Sequence, residues 1–240
     1  SKLLHDLGGK PIISHVLDIA KKISKNNIII VCNKNNIKEL RLILKDCIFV
    51  IQNKQKGTAD AISSAKPYIK NKSFLILFGD VPLISKKILN KLIQNYKKNL
   101  CASMIAFNAT NPFGYGRVHA EKNHIVNVIE EINANNKQKK ISLCNSGIMM
   151  VNKNEFFKNL NLVKINKIKK EKNITDLFNI YYNNKKPFNF ILTSEAQMLG
   201  VNTLEDFSIV EKILQEILVT NLLKKGVEVQ NSQTSYFSLD

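Results

Sequence analysis

Hydrophobic and polar positions follow two different periods along the first half of the chain. Residues 11–24 repeat apolar side chains every three or four positions, which predicts an amphipathic helix. Short apolar, β-branched runs predict strands that are buried on both faces, at 27–32, 47–51, 74–78 and 101–107. Polar segments with helical spacing separate these runs, at 36–45, from Thr58 onward and at about 85–97. This alternation predicts βαβ units and a parallel sheet, in which ligands bind beyond the carboxyl ends of the strands.

The second half of the chain has shorter apolar runs. Those within 115–152 and at 188–192 predict further strands, whereas 153–160 and 174–183 predict helices. A long amphipathic helix is predicted from about 203 to 224. No internal repeat and no linker rich in Gly, Ser or Pro divides the sequence. We therefore predict an α/β fold with a Rossmann-like, mostly parallel sheet flanked by helices.

The charge of the chain changes this picture little. The 240 residues contain 36 Lys and Arg against 19 Asp and Glu, a net charge of +17, which usually indicates a nucleic acid or an anionic membrane as partner. Only Arg41 and Arg117 are arginines, and arginine is the residue that makes bidentate contacts to bases and phosphates. The most basic strip, 164–172, lacks arginine and interleaved aromatics and is interpreted as solvated surface. We predict no nucleic-acid partner.

Other classes are excluded by patterns that the sequence lacks. No apolar run approaches the roughly 18 residues of a membrane span, so we predict no membrane partner. The four cysteines are scattered without C-x-x-C spacing, which argues against a zinc site and a disulfide framework. Cysteines of this kind are typical of a reducing compartment, and we expect a cytoplasmic protein.

Gly79 and Asp80 directly follow the strand predicted at 74–78. An Asp at a strand end can hold a divalent cation through a hard oxygen ligand, and the preceding Gly lets a nucleotide approach the backbone. The alternative is an ordinary turn, in which Asp80 caps the helix that follows.

A second candidate segment lies between the strand at 47–51 and the next helix. Gly57 and Thr58 would offer backbone N–H groups at a helix N-terminus to an anion or a base carbonyl, and the amide of Gln52 can read a base edge. The alternative is that Thr58 is simply the N-cap of the helix.

Three further polar positions suit a sugar. Gly116 lies in a G-Y-G-R turn between strands, and Glu130 and Asn145 flank apolar strands, where a carboxylate and an amide can bind hydroxyls. The alternatives are a plain hairpin turn and solvated strand ends. Asn202, just before the last helix, is interpreted on its own as an N-cap.

The order of the motifs is more informative than any one of them. The chain presents K-L-L-H at 2–5, G-G-K-P at 8–11, Gln52 with G-T at 57–58, G-D-V-P-L at 79–83, G-Y-G-R at 114–117, Glu130, N-S-G at 145–147, I-T-D at 174–176 and G-V-N at 200–202. Over nearly its whole length it resembles the N-acetylglucosamine-1-phosphate uridylyltransferase domain of the bacterial bifunctional enzymes that make UDP-N-acetylglucosamine, a precursor of peptidoglycan and lipopolysaccharide. The resemblance implies the nucleotide-diphospho-sugar transferase fold. It also implies transfer of UMP from UTP to N-acetylglucosamine 1-phosphate with release of pyrophosphate.

The resemblance further implies a role for each candidate residue. Lys2 would contact the phosphates and assist catalysis, while Asp80 and Asn202 would bind the Mg²⁺ cofactor. The nucleotide site would be lined by Gln52, Gly57 and Thr58 at the uracil, together with Phe78, Gly79 and Asp80. The N-acetylglucosamine moiety would be held by Gly116, Glu130 and Asn145.

The family pattern extends beyond this sequence at both ends. The family opens with a strand and a glycine-rich loop, which this sequence lacks, so we expect 1–203 to form an incomplete nucleotidyltransferase domain with little activity by itself. Residues 204–240 would form a helical arm leading to an absent β-helix domain, through which full-length relatives form homotrimers. Two alternatives stay open: a nucleotidyltransferase for another sugar phosphate or nucleotide, and an inactive basic remnant that binds nucleic acid.

Overall fold

The computed structural model describes residues 2–24, 27–53, 57–164, 172–232 and 234–239. The strands are β1 (Asp6–Leu7), β2 (Lys10–Pro11), β3 (Ile29–Cys32), β4 (Ile48–Ile51), β5 (Ser73–Ile76), β6 (Ser103–Asn108), β7 (Arg117–Glu121), β8 (His124–Ile129), β9 (Leu143–Asn152) and β10 (Phe188–Thr193). The helices are α1 (Ile12–Ile23), α2 (Ile37–Ile43), α3 (Thr58–Ala65), α4 (Lys86–Asn99), α5 (Lys153–Leu160), α6 (Asp176–Asn183) and α7 (Leu204–Lys224). The predicted helices and strands all form, with bounds shifted by a few residues.

The α/β class is confirmed, and the sheet is mixed where a mostly parallel one was expected. Six strands pair in the order β5-β9-β6-β10-β8-β7, while β3 and β4 form a separate pair. In the part of the chain that the structure describes, only β3–β4 and β6–β10 pair in parallel. The difference arises because β7 and β8 form a hairpin, and β9 then enters antiparallel to both β5 and β6. Parallel pairing needs a crossover connection, and no helix long enough for one lies between β7 and β9.

Helices cover both faces of the large sheet. On one face α3, α5 and α6 pack through Ile62, Phe156 and Phe178 against β6 and β9. On the other face α4 packs through Leu89 and Leu92. Burial of these side chains, each worth about 1.5–3 kcal/mol, holds the helices on the sheet.

The β3–β4 pair is not hydrogen-bonded to the six-stranded sheet within the described residues. Residues of β3 and of β5 instead line one cavity of about 1040 Å³. Side-chain packing therefore connects the pair to the remainder of the fold.

Helix α7 begins at a capping box and packs onto the main fold. The Thr203 hydroxyl accepts from the Asp206 N–H at 3.1 Å, and the Asp206 carboxylate accepts from the Thr203 N–H at 2.9 Å. Val210 and Leu214 are buried against Leu7. In the described ranges no helix combines the length and hydrophobicity needed to cross a membrane.

Candidate active site

Three polar side chains from distant parts of the sequence meet beyond the carboxyl end of β5. The Lys2 ammonium donates to the Asp80 carboxylate at 3.3 Å and to the Asn202 amide oxygen at 2.5 Å. The backbone joins the two loops as well, since the Val201 N–H donates to the Asp80 carbonyl at 2.9 Å. Two predicted metal ligands and the predicted phosphate-binding lysine therefore form one cluster.

The oxygen atoms of this cluster are of the kind that a divalent cation takes as ligands. A carboxylate oxygen and an amide oxygen converge on one cation, the Lys2 ammonium, and such oxygens are the ligands that Mg²⁺ takes. The described residues contain no group of three or more His, Cys, Asp or Glu suited to a metal. Mg²⁺ normally keeps few protein ligands and completes its shell with water and substrate phosphates. The donor set therefore fits a Mg²⁺ ion with few protein ligands.

The structure rules out the simpler interpretations of Asp80 and Asn202 as helix caps. Helix α4 is capped by Ser85, whose hydroxyl accepts from the Ile88 N–H at 3.3 Å. Helix α7 is capped by Thr203. The side chains of Asp80 and Asn202 are left to contact Lys2.

Gln52 and Gly57 also come together, at the start of α3. The Gln52 amide donates to the Gly57 carbonyl at 3.2 Å and to the Asp60 carboxylate at 2.9 Å. The expected cap at Thr58 is wrong: Gly57, with φ of 87°, is the N-cap, and Thr58 is the first helical residue. The cavity between β3 and β5 is lined at this end by Gln52, Gly57, Thr58, Phe78 and Gly79. The residues expected at the nucleotide base thus share one space.

The N-S-G segment forms a bulge in β9, opposite β6. The register shifts there, the Ser146 hydroxyl donates to the Ile105 carbonyl at 2.6 Å, and the Gly147 N–H donates to the Asn145 side chain at 2.7 Å. Gly147 has φ of 76°, and a Cβ there would lie 2.4 Å from the Phe78 ring. The bulge therefore places Asn145 and supports Phe78 at the same time.

Gly116 and Asn145 are neighbours across two strands. The Asn145 N–H donates to the Gly116 carbonyl at 2.9 Å, and a Cβ at Gly116 would lie 2.9 Å from Val128. The G-Y-G-R turn is fixed by Arg117, which is 1% exposed and donates to the Tyr115 carbonyl and to Glu131. The hydrogen bond from Arg117 lowers the pKa of Glu131.

The Glu130 carboxylate lies beside the start of α6 and accepts a hydrogen bond from a residue to which the sequence analysis assigned no role. The Thr175 hydroxyl donates to the Glu130 carboxylate at 2.9 Å, and Thr175 is buried. Burial and the nearby Glu130 charge raise the pKa of Asp176. The missed residues Thr175 and Arg117 both lie in motifs that sequence analysis singled out, so their position in I-T-D and G-Y-G-R was the available signal. The basic strip at 164–172 falls almost wholly outside the described residues.

Comparisons with known proteins show which family the chain resembles. Residues 1–142 match the model of the MobA-like NTP transferase domain family. The bifunctional protein GlmU of Buchnera aphidicola subsp. Schizaphis graminum is 37% identical over 234 residues, which are 96% of this chain and 50% of that protein. GlmU of Francisella tularensis subsp. novicida is 32% identical over 95% of this chain and 50% of its own length. The chain spans about half the length of these relatives.

Solved structures share the fold at low sequence identity. A putative glucose-1-phosphate thymidylyltransferase from Bacillus anthracis has a TM-score of 0.70 at 17% identity, over 88% of this chain and 86% of that one. A CMP:2-keto-3-deoxy-manno-octonic acid synthetase in complex with CTP has a TM-score of 0.69 at 14% identity, over 90% and 92%. These likenesses show the nucleotidyltransferase fold. With the family model matching more than half of its residues, the chain belongs to the MobA-like NTP transferase domain family and is a protein of the nucleotidyltransferase class.

Proposed function

We propose that this domain transfers UMP from UTP to N-acetylglucosamine 1-phosphate, giving UDP-N-acetylglucosamine and pyrophosphate. The observation that carries the proposal is the convergence of Lys2, Asp80 and Asn202, which are up to 200 positions apart in sequence. A cation and two oxygen ligands at one strand end suit a triphosphate and its metal. The relatives named GlmU support the choice of this sugar nucleotide over others.

In this reaction the protein has to position two polyanionic substrates, UTP and the sugar 1-phosphate, and to neutralise their charge. A phosphate oxygen of the sugar 1-phosphate attacks the α-phosphorus of UTP in line, and the bond to the pyrophosphate oxygen breaks. Asp80 and Asn202 would hold Mg²⁺, which supplies positive charge to the phosphate oxygens when bound. With the metal bound to the Asp80 and Asn202 oxygens, the Lys2 ammonium would instead contact the substrate phosphates and neutralise part of their charge. No nucleophilic side chain is needed.

Residues on either side of the Lys2, Asp80 and Asn202 cluster would bind the base of UTP and the sugar. Gln52, with Gly57 and Thr58, would bind the uracil in the part of the cavity that these residues line. Because the Gln52 amide nitrogen donates to Gly57 and Asp60, its amide oxygen would accept a hydrogen bond from the base. At the other side Gly116, Glu130 and Asn145 would hold the N-acetylglucosamine moiety, with Thr175 fixing the Glu130 carboxylate.

Substrate profiling tests the proposal directly. Pyrophosphate release would be measured with UTP, CTP, dTTP or ATP against N-acetylglucosamine 1-phosphate or glucose 1-phosphate, and Mg²⁺-dependent nucleotide binding by calorimetry. We expect UTP and the N-acetylated sugar to be preferred. The binding measurement keeps the test decisive for slow turnover. A preference for a purine triphosphate would contradict the uridylyl assignment, and salt-sensitive nucleic-acid binding without UTP binding would favour the inactive basic remnant.

Replacing one carboxylate separates the metal site from general effects of charge. Asp80→Asn keeps the shape of the side chain and removes its charge, so we expect Mg²⁺-dependent UTP binding to weaken by at least tenfold. The matched control is Asp46→Asn, since Asp46 makes a 3.4 Å ion pair to Lys21 and its side chain is 81% exposed. Equal UTP affinity in the two variants would show that Asp80 is not a metal ligand.

A further inference from the structure

The loops that carry Asp80 and Asn202 are joined at a second point, away from the two oxygens that meet at the candidate metal site. Gln197 lies in a short 3-10 turn, Glu195–Met198, between β10 and Asn202. Its side-chain oxygen accepts from the Ser85 hydroxyl at 2.7 Å and from the Ser85 N–H at 3.3 Å. The two loops are therefore held together by this contact as well as by the backbone hydrogen bond beside Asp80.

The chain between this contact and the predicted metal ligands is tightly packed. Residues 81–84 are all buried. Two of them belong to the same hydrophobic cluster as Met198, which is 3% exposed. Close-packed side chains transmit a displacement rather than absorb it. We therefore expect the contact at Ser85 to fix the separation between the Asp80 carboxylate and the Asn202 amide.

The 195–198 turn makes a second contact, toward the sugar side of the candidate site. The Glu195 carboxylate accepts from the Thr110 hydroxyl at 2.7 Å and from the Thr110 N–H at 3.1 Å. Thr110 begins the loop that leads to Gly116, and within this loop the Tyr115 N–H donates to the Pro112 carbonyl at 3.1 Å. Burial and the nearby Glu195 charge raise the pKa of Tyr115, in agreement with a carboxylate close to the G-Y-G-R turn.

The two contacts have the same form and lead to different halves of the site. In each, one side-chain acceptor on the 195–198 turn holds both the N–H and the hydroxyl of a single loop residue. A 3-10 turn has three residues per turn, so two side chains that are two positions apart point in different directions. One short turn can therefore hold the loop of Asp80 on one side and the loop of Gly116 on the other.

We propose that the 195–198 turn holds the two halves of the active site at a fixed separation. Gln197 is a positioning residue for the metal ligands, and Glu195 is a positioning residue for the sugar-binding turn. The inference rests on the proposed function, which assigns the metal to one half and the sugar to the other. In-line transfer needs the attacking oxygen within about 3–3.5 Å of the phosphorus, so the separation of the two halves controls the alignment.

Two methionine variants of the intact chain test the proposal. Gln197→Met and Glu195→Met each remove the acceptor oxygens and keep an unbranched side chain. Binding of Mn²⁺, which takes the same oxygen ligands as Mg²⁺, would be measured by paramagnetic resonance, and binding of the sugar 1-phosphate by calorimetry. We expect Gln197→Met to weaken Mn²⁺ binding about tenfold and to leave sugar-phosphate binding unchanged. Glu195→Met should weaken sugar-phosphate binding about tenfold and leave Mn²⁺ binding unchanged.

Conservative exchanges and unfolding measurements are the controls. Gln197→Glu and Glu195→Gln each keep an acceptor oxygen, so they should restore the affinity that the methionine variant loses. Each methionine variant loses two hydrogen bonds, so the two should have similar urea unfolding midpoints. A difference between their binding profiles then cannot come from a difference in stability.

Equal weakening of both ligands by the two methionine variants would overturn the proposal, as would unchanged Mn²⁺ binding in Gln197→Met. The calorimetry would use N-acetylglucosamine 1-phosphate and glucose 1-phosphate in parallel. Tighter binding of glucose 1-phosphate would contradict the proposed function, whereas a selective loss of that binding in Glu195→Met would still support the positioning role. The Mn²⁺ measurement needs no sugar, so it decides on Gln197 whichever sugar the domain takes.

Discussion

Replacing Gly147 by Ala tests how the β9 bulge supports the nucleotide end of the site. At φ of 76° an Ala costs about 1–2 kcal/mol in backbone strain. Its Cβ would also lie 2.4 and 2.8 Å from two atoms of the Phe78 ring, and overpacking of this kind costs about 1–3 kcal/mol. We expect the free energy of unfolding to fall by about 2–5 kcal/mol in total.

Gly114→Ala is the matched control for this change. Gly114 has φ of 84°, but a Cβ there meets no atom within 4 Å, so only the backbone strain applies. The two variants should therefore differ by the overpacking alone, about 1–3 kcal/mol. With a urea slope of about 3 kcal/mol/M the unfolding midpoints would be separated by roughly 0.3–1 M.

A double-mutant cycle identifies the ring as the cause. In a Phe78→Leu background the Gly147→Ala change should cost about 1 kcal/mol less, because the contacted ring atoms are gone. We also expect Gly147→Ala to weaken UTP binding, since the displaced ring adjoins Gly79 and Asp80. Equal destabilisation by the two glycine substitutions, or no coupling to Phe78, would refute the reasoning.

Three further predictions follow from the charged groups. Burial lowers the pKa of His15 below its ordinary 6.5. Below about pH 6.5 the unfolded chain therefore binds a proton at His15 more readily than the folded chain does. The free energy of unfolding should fall as the pH drops through this range. Urea titrations at several pH values should show a flatter decline of stability on the acid side for His15→Gln than for the unsubstituted chain, and identical declines would contradict the assignment. Arg117→Lys should raise KM for the sugar phosphate by about tenfold and leave KM for UTP unchanged. The reason is that lysine lacks the planar guanidinium group that fixes the turn through Glu131. An equal rise in both KM values would argue against a positioning role. Lys2→Met should tighten Mn²⁺ binding a few-fold by paramagnetic resonance, since no ammonium then competes for the same oxygens, and unchanged affinity would show that it does not compete.

The local elements could be predicted from the sequence almost completely. Periodicity places helices such as Ile12–Ile23 and strands such as Phe188–Thr193 within a few residues. Those patterns are set by which face of each element is buried, and that information is local. Strand direction is not local, which is why the antiparallel entry of β9 was missed.

The candidate site shows the same division. Motif order identifies Asp80 and Asn202 as candidates, but only the fold shows that their oxygens share a partner in Lys2. Caps depend on the exact φ and ψ of one residue, so the chain is capped at Gly57 and Thr203 rather than at the neighbouring positions first expected. The hydrogen bond from Thr175 to Glu130 could not be predicted from the sequence, because 45 residues separate the two.

The separation between the β3–β4 pair and the six-stranded sheet has a consequence for cooperativity. Gln52 follows β4, whereas Asp80 follows β5, so the two ends of the proposed nucleotide site belong to different hydrogen-bonded units. Such units can open separately, with local free energies below that of global unfolding. A nucleotide that touches both would bind only when they are docked, and would couple their opening into one event. Ligand binding would then be measurable as slower amide hydrogen exchange throughout β3 and β4, including residues that do not contact the ligand.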